Sequence, residues 1–271
     1  MAFTPANARH LVAPVIDNIP LSRRYFLLRV ARPADMPAPG AGQFLHVAVP
    51  GAGRFYLRRP FSVFDYSEHT IDLLIVEIGA GTSALRGLGE GDTIDFYGPL
   101  GHSFPRLPGR RVVAVGGGVG LAPLYLYGFR DPAPGLAEYR LLYGARNVKD
   151  LFLDRIAMEG EGGVRLATDD GSHGFAGTVV GLAEDELDRA PADAVFSCGP
   201  TVMMKAVDAM ARRRGLLHYA SLENRMGCAL GACRACVVPT VLDGGSPYRT
   251  VCHDGPVFNG ADLVWDRLPT P

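Results

Sequence analysis

Cys228, Cys233, Cys236 and Cys252 are spaced C-x4-C-x2-C-x15-C and account for four of the chain's five cysteines. The first three lie in the run RMGCALGACRACVV. A short, glycine- and alanine-rich loop can wrap its backbone around a small four-thiolate centre, and C-x4-C-x2-C…C is the plant-type [2Fe–2S] spacing. Structural zinc favours paired short spacings, of which only one is present; zinc stays open as the alternative. Disulfides suit small secreted domains, whereas a chain of 271 residues buries a core without staples. Inert buried cysteines do not account for three within nine residues, and a thiol relay does not need four. The tail is therefore expected to hold an electron-transfer centre on Cys228, Cys233, Cys236 and Cys252.

Charge excludes some functions. The net charge is −1 with 48% hydrophobic and 20% charged residues, the balance of a soluble globular protein. A nucleic-acid binder would show a basic excess, so none is expected as a partner. The start, MAFTPANARHLVAPV, has no basic segment before an apolar core, and no signal peptide is read. Residues 112–129 carry no charge over 18 positions, which barely reaches spanning length. Their glycines and Pro123 favour a buried strand, a turn and a packed helix instead. No membrane association is expected, and a reducing cytoplasmic location suits cluster chemistry.

The first hundred residues read as β-structure. RHLVAPVIDN, RRYFLLRVA, QFLHVAVP, FSVFDYS, TIDLLIVEI and DTIDFYGP are short apolar or alternating runs between Gly, Pro and Asp punctuation. Strands at this density imply an antiparallel barrel, with one short helix in TSALRGL. After PRLPGR, strands (RVVAVGGG, YRLLYGAR, GVRLATDD, AVFSCGP, LHYASLE) alternate with helical stretches from Leu121, in VKDLFLDRIAME, near TVVGLAEDELD and in TVMMKAVDAMARRRG. That alternation implies a parallel sheet covered on both faces. From about Glu223 the chain turns loop-rich.

Three constellations carry chemistry. In VAVGGGVGLAP, Gly116, Gly117, Gly118 and Gly120 follow a strand and open a helix, so the backbone can approach a pyrophosphate. The run does not match G-x-G-x-x-G, and a tight packed turn is the alternative. In FSCGPTVM, Cys198, Gly199 and Pro200 occupy a second turn at a strand's carboxyl end, where open α/β sheets bind ligands. Met203 and Met204 are expected to pack, and Asp169 and Asp170 to form a turn before Gly171. In the barrel, RRPFSV offers Arg59 as a bidentate donor for a diphosphate, Pro60 as a stiff turn, and the Ser62 hydroxyl. Gly81 and Thr82, at a helix start in EIGAGTSAL, are a further anion-binding position. Together these point to FAD across the barrel–helix junction and a nicotinamide nucleotide on the sheet.

The order RPFS, GAGT, GPLGHSF, VGGGVGLAP, YGAR, CGP resembles the ferredoxin–NADP reductase superfamily. Adding SLENRMGCALGACRACVV and YRTVCHDGPVF, the chain resembles, over essentially its whole length, the electron transfer subunits of NAD-dependent dihydroorotate dehydrogenases. The resemblance implies FAD binding by Arg59, Pro60, Phe61 and Ser62 and by Gly81 and Thr82. It adds FAD contacts from Leu74, Ile75 and Val76; some relatives have Tyr and Arg where this chain has Ile75 and Val76, so backbone contacts are expected there. It also assigns the [2Fe–2S] cluster to the four cysteines. The fifteen residues between Cys236 and Cys252 separate the chain from oxygenase reductases with an attached ferredoxin, whose last interval is much longer.

The resulting expectation is a β plus α/β multidomain chain. It comprises an antiparallel flavin-binding β-barrel over 1–104, a parallel-sheet NAD-binding domain over 105–222 and a small C-terminal [2Fe–2S] domain over 223–271. A nicotinamide takes two electrons as a hydride and a cluster passes one; a flavin does both and belongs between them. The resemblance implies an FMN-containing dihydroorotate dehydrogenase catalytic subunit as partner, in a heterotetramer, feeding electrons to NAD+ in pyrimidine biosynthesis. No acid–base catalytic pair is expected in this chain. The alternatives are a related FAD/[2Fe–2S] NAD(P)H reductase subunit serving a sulfide- or ferredoxin-linked partner, a non-enzymatic redox sensor and a zinc-stabilised nucleotide-binding module.

Overall fold

The computed structural model describes residues 9–51, 53–151, 163–241 and 247–269. Strands β1 (Arg9–Pro20), β2 (Tyr25–Ala31), β3 (Phe44–Val47), β4 (Arg59–Tyr66), β5 (Thr70–Val76) and β6 (Thr93–Leu100) close an antiparallel barrel in the order β1-β2-β5-β4-β3-β6. In β1, Leu11, Ala13 and Val15 point inward while their neighbours are exposed, the period-two pattern of a strand with one wet face. A single helix of about two turns, α1 (Ala80–Arg86), follows β5.

The second sheet obeys the opposite pattern. β7 (Arg111–Gly117) is buried from Val112 through Gly116, as a parallel strand covered on both faces must be. It is followed by a turn (Gly118–Gly120) and α2 (Leu121–Tyr125), so the uncharged stretch is a strand, a glycine turn and a packed helix. β8 (Glu138–Ala145), β9 (Val164–Thr168) and β10 (Phe175–Ala176) add on one side of β7. After α3 (Val179–Arg189) the chain crosses over, and β11 (Ala194–Cys198) and β12 (Leu217–Ser221), linked by α4 (Thr201–Arg214), add on the other side. The expected helix in VKDLFLDRIAME lies largely outside the described residues; Val148–Asp150 forms a short 3-10 turn.

Alternation along β7 divides the core. Val112 and Ala114 join one cluster with α2 and the barrel interior, while Val113 and Val115 join α3 and α4. The barrel and sheet are thus welded through aromatic contacts: Phe64 stacks on Tyr125 at 4.5 Å and Phe104 on Phe196 at 4.6 Å. Beyond Glu223 the chain is more ordered than its loop-rich sequence suggests. β13 (Val237–Pro239) pairs with β14 (Tyr248–Thr250), and β15 (Val257–Asn259) extends the seven-stranded sheet antiparallel to β12. These strands are three residues each, too short for a period to be visible in sequence. A third cluster packs Cys236, Cys252, Val238 and Met226 against Phe44 and Leu100 of the barrel and Met204 of α4. Among the described residues no helix is long and apolar enough to cross a membrane.

Candidate functional site

The barrel opens where two of its strands part. β4 and β5 pair only over Val63–Leu73, Asp65–Asp72 and Tyr66–Ile71, with a register shift between Val63 and Asp65. Before Val63, β4 runs back to Arg59; past Leu73, β5 runs on to Val76; these halves do not pair with each other. Backbone groups of 59–62 and 74–76 therefore line one cleft, and they are the two strand segments that the sequence singles out for FAD. Leu74 and Ile75 are 3% and 1% exposed, their side chains sunk in the barrel core, so only their backbone can meet a ligand. Arg59 Nη1 donates to the carbonyls of Leu57 (2.8 Å) and Arg58 (3.3 Å), which anchors the guanidinium at the head of β4. Ser62 stands opposite Phe44, hence on the barrel face turned toward the cysteine-bearing segment. Phe61 stands opposite Leu45 and packs against the barrel core. Gly81 and Thr82 lie in α1; the Thr82 hydroxyl accepts from the amides of Ile78 (3.0 Å) and Gly79 (3.2 Å), so it braces its own turn.

The two nucleotide turns meet at one point. Because β8 and β11 flank β7 and leave it in opposite directions, the sheet's topological switch lies between β7 and β11, where α/β sheets hold ligands. Gly116 pairs with Cys198 there. A Cβ on Gly120 would collide with the Cys198 carbonyl and stand 2.7 Å from the Gly199 amide nitrogen, so the turns touch backbone to backbone. Gly199 has φ of 146°, and a side chain there would press on the Gly117 carbonyl at 3.0 Å. Pro200 and Met203 close over Gly117. On the barrel side, a Cβ on Gly118 would lie 3.4 Å from the Tyr25 hydroxyl, and Tyr25 pairs with Val76. The β4–β5 cleft thus ends against the glycine turn. Asp169 and Asp170 do serve a turn: Asp170 accepts the Ser172 amide at 2.9 Å.

The cysteines sit in a loop shaped by backbone strain. Ala229 (φ 56°), Gly231 (φ 80°) and Arg234 (φ 55°) are all left-handed, at about 1–3 kcal/mol for each non-glycine residue. That path turns amides inward onto sulfur. The amides of Leu230 (3.4 Å) and Cys233 (3.3 Å) donate to Cys228 Sγ, that of Gly231 to Cys252 Sγ (3.3 Å) and that of Cys252 to Cys236 Sγ (3.4 Å). Among the described residues no three thiol, imidazole or carboxyl groups converge at metal-ligating distances. Electrostatically the thiols couple in two pairs, Cys228 with Cys233 and Cys236 with Cys252. Burial raises the Cys228 thiol, but the Cys233 and Leu230 amides outweigh it and hold it below its ordinary value. The hydrogen bond from Cys252 lowers Cys236 to about 6, and that same contact pushes Cys252 up, since two adjacent thiolates repel. Four thiols with amides directed at them suit a sulfur-rich centre whose sulfurs carry negative charge. The pairs differ in access: Cys233 is exposed, whereas Cys236 and Cys252 are each 1% exposed against the barrel-facing core.

Two acidic or thiol groups at the switch point behave differently from their sequence reading. Cys198 is 1% exposed, and burial, then the nearby Glu223 carboxylate, push its thiol well up despite a hydrogen bond with Ser221. Glu223 was read only as a domain boundary. The residue as a whole is exposed, and protein packed around its carboxyl raises that group above the ordinary carboxylate range. Its place just beyond the carboxyl end of parallel strand β12 was the available signal.

A six-stranded barrel with a cleft between β4 and β5, a parallel sheet with paired glycine turns at its switch point and a cysteine loop packed against both define a reductase of the ferredoxin–NADP reductase type. The solved structure of an NADH-dependent reduced ferredoxin–NADP oxidoreductase superimposes with a TM-score of 0.81 at 27% identity, covering 98% of this chain and 92% of that one. A family model described as the iron–sulfur cluster binding domain of dihydroorotate dehydrogenase B matches residues 223–264. The dihydroorotate dehydrogenase B (NAD(+)) electron transfer subunit of Caldanaerobacter subterraneus subsp. tengcongensis is 38% identical over 84% of this chain and 88% of its own length. That of Geobacillus thermodenitrificans is 39% identical over 85% and 88%. The chain belongs to the family of dihydroorotate dehydrogenase B electron transfer subunits.

Proposed function

We infer that this chain carries electrons from an FMN-containing dihydroorotate dehydrogenase catalytic subunit to NAD+ in cytoplasmic pyrimidine biosynthesis, within a heterotetramer. One observation carries the reading: the same barrel abuts the nucleotide turn through Tyr25 and Gly118 and underlies the cysteine loop through Phe44 and Leu100. A flavin in the β4–β5 cleft is thereby flanked by both of its redox partners. When bound, FAD exchanges a hydride with the nicotinamide and single electrons with the [2Fe–2S] cluster.

The residues of the chain supply binding and position. Arg59 neutralises the FAD diphosphate, with Gly81 and Thr82 offering first-turn amides that have no carbonyl inside the helix. Pro60, Phe61 and the backbone of Leu74, Ile75 and Val76 hold the ring system, and Ser62 directs its hydroxyl to the ring's reactive edge. Gly116, Gly117, Gly118 and Gly120 admit the NAD pyrophosphate, while Cys198, Gly199 and Pro200 shape the nicotinamide end. Cys228, Cys233, Cys236 and Cys252 ligate the cluster. Residues 1–104, 105–222 and 223–271 make up the three working units.

The test is co-purification with an FMN-containing partner, an absorption spectrum and an assay of dihydroorotate-dependent NAD+ reduction. The reading requires a flavin and iron–sulfur spectrum and NADH formation. A flavin-replete complex that ignores dihydroorotate yet oxidises NADH with a ferredoxin or sulfide-linked acceptor would replace it by the related reductase.

A further inference from the structure

Ser197, His218 and Asp208 form a buried line between β11, β12 and α4. The Ser197 hydroxyl lies 2.8 Å from His218 Nε2, and His218 Nδ1 lies 3.0 Å from Asp208 Oδ1. A serine–histidine–aspartate arrangement serves nucleophilic hydrolysis elsewhere, but Ser197 is 0% exposed in mid-sheet and no substrate carbonyl can reach it. The line has a different destination. Asp208 Oδ2 accepts from Arg212 Nε at 2.6 Å, and Arg212 Nη2 donates to the carbonyl of Gly260 at 3.1 Å. Trp265 Nε1 donates to that same carbonyl at 3.0 Å, and its ring stacks on His218 with centroids 5.8 Å apart. A Cβ on Gly260 would collide with His218 Nδ1 and Asp208 Oδ1, so only glycine fits against the pair.

Gly260 belongs to a strap, residues 257–269, that begins five residues after Cys252. The strap pairs through β15 with β12, then runs back along α4 through a Lys205–Asp266 ion pair to a hydrogen bond from the Thr201 hydroxyl to the Pro269 carbonyl (3.2 Å). At the other end of the line, Ser197 immediately precedes Cys198 of the nucleotide turn. The network therefore joins the nucleotide turn to the strap that follows the fourth cysteine.

We propose that Ser197, His218, Asp208 and Arg212 are positioning residues that clamp the strap and so set where Cys252 stands relative to the nucleotide turn and the flavin cleft. The charge-assisted bonds at Asp208 are the strongest in the line. Loosening the clamp shifts the cluster relative to the flavin cleft and so slows the electron step between them while leaving hydride transfer in place. This inference rests on the electron-transfer role above, so its test has one readout independent of redox chemistry.

Hydrogen exchange of amides in 257–269 is compared in the holo complex for wild type, His218→Gln and Gly260→Ala, with Trp265→Phe as a milder variant that keeps an aromatic ring and loses the N–H bond to Gly260. Stopped-flow absorbance then separates flavin reduction by NADH from the later reduction of the cluster. The clamp predicts at least about tenfold faster exchange in the strap, hydride transfer within about twofold of wild type and cluster reduction slowed by more than hydride transfer is. Unchanged exchange in Trp265→Phe and in whichever of the other two folds overturns the clamp, whatever the redox outcome. Faster exchange with both electron steps unchanged, or with both slowed equally, reduces it to a stability element. Wild-type protein without a reducible cluster instead defeats the function on which it rests.

Discussion

The nucleotide turns and the cysteine loop solve opposite problems. At the switch point, Gly120 and Gly199 bring bare backbone into contact, and the shape persists because nothing projects from it. In the loop, Ala229 and Arg234 accept left-handed strain so that amides face sulfur, and the shape exists to serve four projecting side chains. The first is preorganised by packing and topology; the second is held by amides directed at its sulfurs. A dinucleotide needs surface and dipoles, which backbone provides, whereas iron needs specific donors.

The sharpest break of that contrast is at a thiol. Cys236→Ser should remove the cluster and lower dihydroorotate-dependent NAD+ reduction by more than about 100-fold, given that even outer-shell partners of a metal cost 10–100-fold. NADH oxidation with a two-electron dye should survive, because the switch point is untouched; iron analysis and dye assay together check this. Next, Arg59→Ala should weaken FAD retention by about 1.5–3 kcal/mol, the worth of a hydrogen bond to a charged group, read by flavin release on dilution. Gly120→Ala should cost about 1–3 kcal/mol through overpacking against Cys198 and raise KM for NAD+ more than it lowers kcat. The cluster's visible spectrum should not change in that variant; a changed spectrum would mean that the two regions are not separable.

The smallest expected effect is on acid stability. Burial raises the Asp208 carboxyl, but His218 and Arg212 outweigh it and hold its folded value below the ordinary range. A depressed folded value means stabilisation is complete above the unfolded value, about 4, and is lost as pH falls through the folded value. Trp265, the chain's only tryptophan, stacks on His218 beside it. Its emission should shift red as pH falls below about 4. In Asp208→Asn that acid shift should be reduced.

Much of this fold was legible because short strands crowd together before PRLPGR and alternate with helical stretches after it. Burial pattern alone does not separate them: β5 of the barrel is as continuously buried as β7. The cysteine spacing was equally plain. What pattern could not show was convergence: the parting of β4 from β5 depends on a register shift near Val63, and the contact of Gly120 with Cys198 spans 78 residues of chain. Glu223 and the Ser197–His218–Asp208 line were invisible because isolated polar residues carry no period. The three-residue strands after Glu223 were equally so, being pinned by neighbours and not by their own composition.

The most direct measurement is an anaerobic NADH titration of the purified chain followed by absorbance and electron paramagnetic resonance. The account predicts a yellow-brown protein whose flavin band bleaches with NADH and whose cluster then gives the signal of a one-electron-reduced [2Fe–2S] centre. A protein that bleaches while its cluster stays oxidised and silent, or that holds zinc in place of iron, would contradict it.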